Sequence, residues 1–224
     1  MKLSIIVPAL DEAAGIQATL QALASLRQRG HEVIVVDGGS SDETVALAAP
    51  AADRVLSASR GRARQMNAGA AVAIGEALVF LHADTRLPPQ ADRLIGQALE
   101  RSSWGRFDVR IEGGLALALV AFFMNWRSRL TGIATGDQAI FVRRAAFESI
   151  GGFADLPLME DIEISTRLKK LSPPACIRQR AATSGRRWQR HGVLATILLM
   201  WRLRLAYFFG ARPDELARRY ANHA

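Results

Sequence analysis

The sequence predicts an α/β fold: a mostly parallel, doubly wound sheet with flanking helices and further helices at its C-terminal end. Three observations predict it. Short continuous apolar runs at Leu3–Val7, Val33–Val36 and Leu78–Leu81 suit strands buried on both faces. Between them, apolar side chains recur at helical spacing, as at Ile16, Leu20, Leu23 and Leu26. Strand and helix signals also alternate repeatedly before Thr85, the pattern of parallel strands joined by right-handed crossovers.

Taken in order, Leu3–Val7 is closed by Pro8, and Asp11 with Glu12 opens the first helix. Gly30 ends that helix, and the strand Val33–Val36 runs into Asp37-Gly38-Gly39. Ser40 and Glu43 have capping-box spacing, which predicts a helix continuing to Ala49. Val55-Leu56 reads as a short third strand and Arg62–Ile74 as an alanine-rich helix. The strand Leu78–Leu81 then delivers His82-Ala83-Asp84-Thr85 to its carboxyl end, where open α/β sheets build ligand sites. On an extended chain His82 and Asp84 point to the same side. Beyond Pro88-Pro89 the alternation loosens into a helix (Gln90–Arg101), a strand (Phe107–Ile111) and an apolar helix from Gly114. A strand at Ala139–Val142 is entered through Thr135-Gly136-Asp137-Gln138. The helix Leu158–Lys170 begins Met159-Glu160-Asp161, with its acids at the positive end. Two more helices, His191–Phe209 and Pro213–Asn222, are expected to complete the chain.

With 224 residues, 50% of them hydrophobic and 22% charged, the chain can bury one large core and is not disordered. The net charge is +8, and Lys2, Lys169 and Lys170 are the only lysines, so the basic character is arginine. Such a surface suits phosphate, nucleic acid or anionic lipid. Cys176 is the single cysteine, which excludes an internal disulfide framework and fits a reducing compartment. The apolar run at Met1–Pro8 is too short for a signal peptide. The runs Gly113–Trp126 and Val193–Trp201 fall short of the roughly 18–20 apolar residues that span a bilayer, so both are expected to be core helices. A cytoplasmic protein is expected, peripheral on the inner face of the membrane if its acceptor is a lipid.

In a doubly wound sheet three strand-end loops converge on one rim: Pro8-Ala9-Leu10-Asp11-Glu12, Asp37-Gly38-Gly39-Ser40 and His82-Ala83-Asp84. Asp37 is placed to accept hydrogen bonds from a base or ribose, or else to cap a helix. Gly38 and Gly39 allow backbone to approach a ligand closely. His82 and Asp84 form half of a divalent-cation site, unless Asp84 only caps the helix near Pro88. Arg62, Gln65 and Asn67 lie at a helix start, which is either an anion site fit for phosphate or a solvated face. Glu160-Asp161 offers a carboxylate able to deprotonate a nucleophile, although acids favour helix starts in any case. Arg186, within Ser184–His191, either closes over a diphosphate or caps the last helical layer.

These stretches together resemble glycosyltransferase family 2, with its GT-A fold, over most of the chain. The carriers are Ser4–Glu12, Val35–Asp42, Phe80–Thr85, Gly136-Asp137-Gln138 and Glu160-Asp161. Within the family the chain most resembles the small single-domain bacterial transferases named after radical-SAM gene neighbourhoods. The resemblance implies one domain over 1–224, with a nucleotide-sugar-binding half at 1–87, an acceptor half at 88–190 and C-terminal helices at 191–224. It implies a nucleotide-sugar donor, a UDP-sugar first, held by Pro8, Ala9, Glu12, Asp37, Arg62, Gln65, Asn67, Asp84 and Arg186. It further implies that Asp84 holds Mn²⁺ or Mg²⁺ against the diphosphate. Asp161 would activate an acceptor hydroxyl for inverting transfer of one sugar, while Gly136, Asp137, Gln138 and Glu160 line the donor–acceptor junction. The acceptor is open, a lipid-linked hydroxyl included. His82 stands where the family's metal motif usually has an aspartate, so its imidazole either ligates a softer ion such as Mn²⁺ or takes no part.

Two rival readings fare worse. A sugar-nucleotide nucleotidyltransferase would carry a glycine-rich, lysine-bearing loop after the first strand, where this chain has Pro8-Ala9-Leu10-Asp11-Glu12. A non-catalytic membrane-surface or nucleic-acid module would interleave aromatics with basic residues or present a clean basic helix face. Arg202 and Arg204 are about 200° apart around a helix and share no face. A nucleic-acid partner is therefore not expected.

Overall fold

The computed structural model describes residues 1–221. Four parallel strands, β1 (Leu3–Ala9), β2 (Glu32–Asp37), β3 (Arg54–Ser57) and β4 (Ala77–Phe80), form the first half of its sheet. They are joined by α1 (Ile16–Gln28), α2 (Thr44–Ala48) and α3 (Arg62–Val72). The continuous apolar runs are buried on both faces, as expected. Leu3, Ile5 and Val7 pack with Val33, Val35 and Val79 on one side; Ile6, Ile34, Val36, Leu78 and Phe80 pack on the other.

The second half adds antiparallel pairings to this parallel half. After β5 (Thr85–Arg86) and α4 (Ala91–Leu99) come β6 (Trp104–Ile111), α5 (Gly114–Thr131) and β7 (Ile140–Arg143). They are followed by α6 (Arg144–Ser149), α7 (Glu160–Leu168) and β8 (Ala175–Thr183). The strand order is β3-β2-β1-β4-β7-β6-β8-β5. Here β7 runs antiparallel to both β4 and β6, while β8 is parallel to β6. The sheet is thus mixed, and its antiparallel centre brings the 136–138 turn beside the end of β4. The chain ends in α8 (Arg186–His191), α9 (Val193–Phe208) and α10 (Pro213–Ala221). Asn222, the expected last residue of the final helix, lies outside the described residues.

Several local expectations are corrected. The first helix begins at Ile16, because Asp11 takes a left-handed φ of 52° and the chain turns once more before it coils. Ser40 and Glu43 make no capping box: α2 starts after Glu43, and Ser40 turns its hydroxyl to Asp37. Asp84 caps no helix, since α4 begins after Gln90. His82 and Asp84 lie beyond the end of β4 in a turn closed by Thr85 N–H donating to the His82 carbonyl at 3.0 Å. Strand alternation therefore does not relate them.

One surface cluster yields a pH prediction. Asp92 accepts from Arg29 Nε at 2.8 Å and from His31 Nε2 at 3.2 Å, while His31 Nδ1 accepts the Leu3 N–H. Burial alone would raise the Asp92 carboxyl; the hydrogen bonds from Arg29 and His31 outweigh it and hold it at about 2. A depressed carboxylate stabilises the fold above its unfolded value near 4 and loses that contribution as pH falls towards 2. The expected size is on the order of 1 kcal/mol after solvent screening. In urea unfolding, the gap between wild type and Asp92→Asn is expected at neutral pH and to narrow towards pH 2. A gap independent of pH would show that the charge is not its source.

Candidate active site

The rim loops are laced together by short polar side chains. Asp11 N–H donates to Ser40 Oγ at 2.9 Å, and Ser41 N–H donates to Asp11 Oδ1 at 2.8 Å. Glu12 N–H donates to Thr44 Oγ1 at 2.8 Å, and Ala13 N–H to Asp42 Oδ2 at 3.0 Å. Each bond crosses between the loops after β1 and β2, so neither loop is independent. Asp37 is 4% exposed, and its carboxylate accepts from Gly39 N–H, Ser40 N–H and Ser40 Oγ. These donors tie the carboxylate to its own loop.

The amide side chains proposed as donor contacts have backbone partners instead. Gln65 Nε2 donates to the Ala9 and Val36 carbonyls, both at 2.8 Å, and so ties the ends of β1 and β2. A Cβ on Gly38 would lie 3.0 Å from that amide, so Gly38 makes room for Gln65 rather than for a ligand. Asn67 Nδ2 donates to the Phe153 carbonyl at 2.8 Å, and its Oδ1 accepts the Phe153 N–H at 2.9 Å. Gln138 is fully buried: its Oε1 accepts the Thr135 N–H, and its Nε2 donates to Asn125 Oδ1. Pro8 and Ala9 are buried within β1 and reach the rim only at its edge.

What gathers at the rim is a charged cluster. The α7 N-terminus presents Asp161, whose Oδ1 accepts the Ile162 N–H at 2.8 Å and whose Oδ2 accepts the Gly136 N–H at 3.3 Å. Glu160 beside it is 5% exposed, with Oε1 3.5 Å from Arg62 Nη1. Burial, then the charge of Asp161, push the Glu160 carboxyl up. His82 Nδ1 lies 3.1 Å from Asp137 Oδ1, and its ring rests on Gly136, where a Cβ would fall 2.3 Å from Nε2. A cavity of about 10 Å³ is lined by Arg62, His82, Gly136, Glu160 and Asp161 among others. Across the rim, Glu12 is raised by burial and then by Asp84, against the pull of Arg186, whose Nη2 is 3.8 Å from Glu12 Oε2. Three of the four non-glycine residues with positive φ among the described residues, Asp11, Ala139 and Met159, adjoin these loops. Such strain concentrates at functional sites.

Two participants were not anticipated: Arg127 of α5 and Arg204 of α9. Burial, and then Arg204, lower Arg127 to about 10, while Asp161 pulls it back up. Burial likewise lowers Arg204, which Asp161 and Asp137 support. In sequence both look like interruptions of apolar runs. The available signal was a pair of arginines in each acid-free apolar helix, Arg127 with Arg129 and Arg202 with Arg204, each of which must either reach water or find a carboxylate elsewhere.

A divalent cation fits part of the residues expected to hold it. Asp84 receives only a long contact from Thr85 Oγ1, at 3.4 Å, and shares its surroundings with Glu12, a second oxygen donor. One or two carboxylates plus donor phosphates are what Mg²⁺ or Mn²⁺ takes. Of His82, Nδ1 lies against Asp137, and Nε2 is buried beside Gly136 without a hydrogen-bond partner.

The chain and its fold are similar to known proteins. The chain is 31% identical over 175 residues to the PGL/p-HBAD biosynthesis glycosyltransferase of Mycobacterium bovis, a match covering 67% of this chain and 62% of that relative. It thus spans less than two thirds of that relative's length. The fold is similar to S. aureus TarS 1-349 in complex with UDP-GlcNAc, with a TM-score of 0.66 at 18% identity, covering 82% of this chain and 58% of that one. It is equally similar to the mannosyltransferase PcManGT of Pyrobaculum calidifontis in complex with GDP-Man and Mn²⁺, with a TM-score of 0.66 at 20% identity, covering 92% and 61%. The architecture is the GT-A fold of glycosyltransferases. The sequence profile of Glycosyl transferase family 2 matches residues 4–150, from β1 through the 136–138 turn, and the chain belongs to that family.

Proposed function

We propose that the protein transfers one sugar from a nucleoside-diphosphate donor, a UDP-sugar first, to an acceptor hydroxyl with inversion at the anomeric carbon. The observation that carries this reading is Asp161, oriented by two backbone N–H groups, facing a rim that combines arginines with the Asp84 and Glu12 carboxylates. In this reading Asp161 takes the acceptor proton. The acceptor oxygen bonds to the anomeric carbon, and the bond from that carbon to the diphosphate oxygen breaks, its electron pair leaving with the nucleoside diphosphate. Arg62 and Arg186 offset the charge of that leaving group. Asp84, with Glu12, would hold a divalent cation, which when bound neutralises diphosphate charge as a Lewis acid. The 1–87 half supplies the donor loops, and the 88–190 half supplies Asp137, Glu160 and Asp161.

Calorimetric titration with UDP and GDP, each with Mn²⁺, Mg²⁺ or chelator, tests the donor site. UDP is expected to bind more tightly with metal, and Asp84→Ala to abolish that gain, whereas His82→Ala is expected to keep it. Metal-independent binding would place the charge offset on Arg62 and Arg186 alone. Failure of both nucleotides under every condition would end the transferase reading.

A further inference from the structure

The helices α5 and α9 invert the usual pattern of a packed helix. On α5 the exposed residues are Leu115, Leu119, Phe122, Phe123, Trp126 and Leu130; on α9 they are Leu194, Leu198, Trp201, Leu205 and Phe208. These follow four- and three-residue steps, so each set is one stripe along its helix, and the stripe faces outward. Both were expected to be core. Phe123 is 61% exposed and Trp201 71%. Contiguous apolar surface of this kind marks a contact with another phase or molecule.

The two stripes are neighbours. Leu117, Val120 and Met124 of α5 share an apolar cluster with Trp188 of α8 and Val193 at the start of α9. Further along, Arg127 and Arg204 approach closely enough to repel, both beside Asp161. Each arginine is about a quarter-turn from its helix's stripe, so the flanks carrying Arg127 and Arg204 turn towards Asp161 while the stripes stay exposed. Charge identifies the occupant. No acidic residue occurs between Glu163 and Asp214, or between Glu112 and Asp137. Arg202, exposed, adjoins the α9 stripe, with exposed Arg190 before it and Arg212 just beyond its end. No helix among the described residues is long and apolar enough to cross a membrane, so the contact lies along a surface.

We propose that the α5 and α9 stripes form a docking face for a bilayer bearing anionic lipid. Tryptophan and phenylalanine insert at the headgroup boundary while arginines meet the lipid phosphates. A second copy is the poorer occupant, because an isologous contact would set the acid-free surface against itself. Resting on the transferase reading, the face also favours an acceptor hydroxyl borne at the membrane, since Arg127 and Arg204 connect it to Asp161.

Flotation of the full chain with vesicles of phosphatidylcholine, alone or with one third phosphatidylglycerol, tests this without donor or turnover. A null result would leave the transferase reading intact. Flotation is expected with the anionic vesicles, weakened by salt. Phe123→Glu with Trp201→Glu is expected to weaken it at least about tenfold, and Arg202→Glu about fivefold. Both aromatics are exposed, and an unchanged circular-dichroism spectrum would confirm folding. Absence of wild-type flotation at low salt, or flotation indifferent to these substitutions, overturns the proposal. So does a lipid-free dimer in analytical ultracentrifugation that the same substitutions dissociate.

Discussion

Asp161→Asn is expected to lower turnover by roughly 10²–10⁴-fold while UDP affinity stays near wild type. The substitution keeps the shape of the side chain, and its remaining oxygen can still accept the Ile162 N–H. It removes the only feature a base needs, a lone pair on a charged oxygen. It also leaves Arg127 and Arg204 beside a neutral group, so some loss of thermal stability is expected alongside. Glu160 is the control. Its carboxyl is buried, pushed up and engaged with Arg62, so Glu160→Gln is expected to affect turnover less than Asp161→Asn. Initial rates and calorimetric UDP affinities on both variants decide the matter. Near-normal turnover in Asp161→Asn removes the assignment, and a larger loss in Glu160→Gln transfers it to the neighbour.

Strands β1, β2 and β4 were legible because each is a largely continuous apolar run with cover on both faces, whereas β3 shows only the half-buried pair Val55-Leu56. The later strands were harder. In β8, Arg178, Gln179 and Arg180 are exposed while only Ala181 and Thr183 are buried, so periodicity carries little signal. The reversal of β7 has no local signature, since an antiparallel strand between helices shows the same apolar run as a parallel one.

At the site, the sequence does not show which polar side chains are taken up by the fold itself. Gln65, Asn67 and Gln138 look like ligand contacts, because an amide near glycines does not reveal whether its partner is a substrate or a backbone carbonyl. The fold gives them carbonyls and N–H groups that would otherwise be buried without partners. The lacing of Asp11, Ser40, Ser41, Asp42 and Thr44 was hidden for a related reason: short polar side chains suggest caps within their own segment, and here they bond across segments. Arg202 and Arg204 share no helix face in the sequence, and the fold accordingly leaves Arg202 exposed and sets Arg204 beside Asp161, a partner that no local pattern names.

Gly136→Ala is expected to lower kcat/KM by about 100-fold, the penalty for displacing catalytic groups by about 1 Å. The added methyl would sit 2.3 Å from His82 Nε2 and 2.5 Å from Cε1, distances no contact tolerates. The imidazole has little room to yield, being 16% exposed and held by Asp137 at 3.1 Å. Either His82 swings away from Asp137, or the 136–138 turn shifts and withdraws the Gly136 N–H from Asp161. Overpacking of this kind also costs about 1–3 kcal/mol of folding stability. His82→Ala separates the two routes, because it removes the ring that the methyl strikes. In the double variant the stability loss of Gly136→Ala is expected to shrink, with a coupling of about 1 kcal/mol or more. Activity is expected to recover only as far as His82→Ala alone permits. If Gly136→Ala keeps wild-type rates and stability, the His82–Gly136 contact does not position Asp161, and the N–H of Gly136 is not what orients the base.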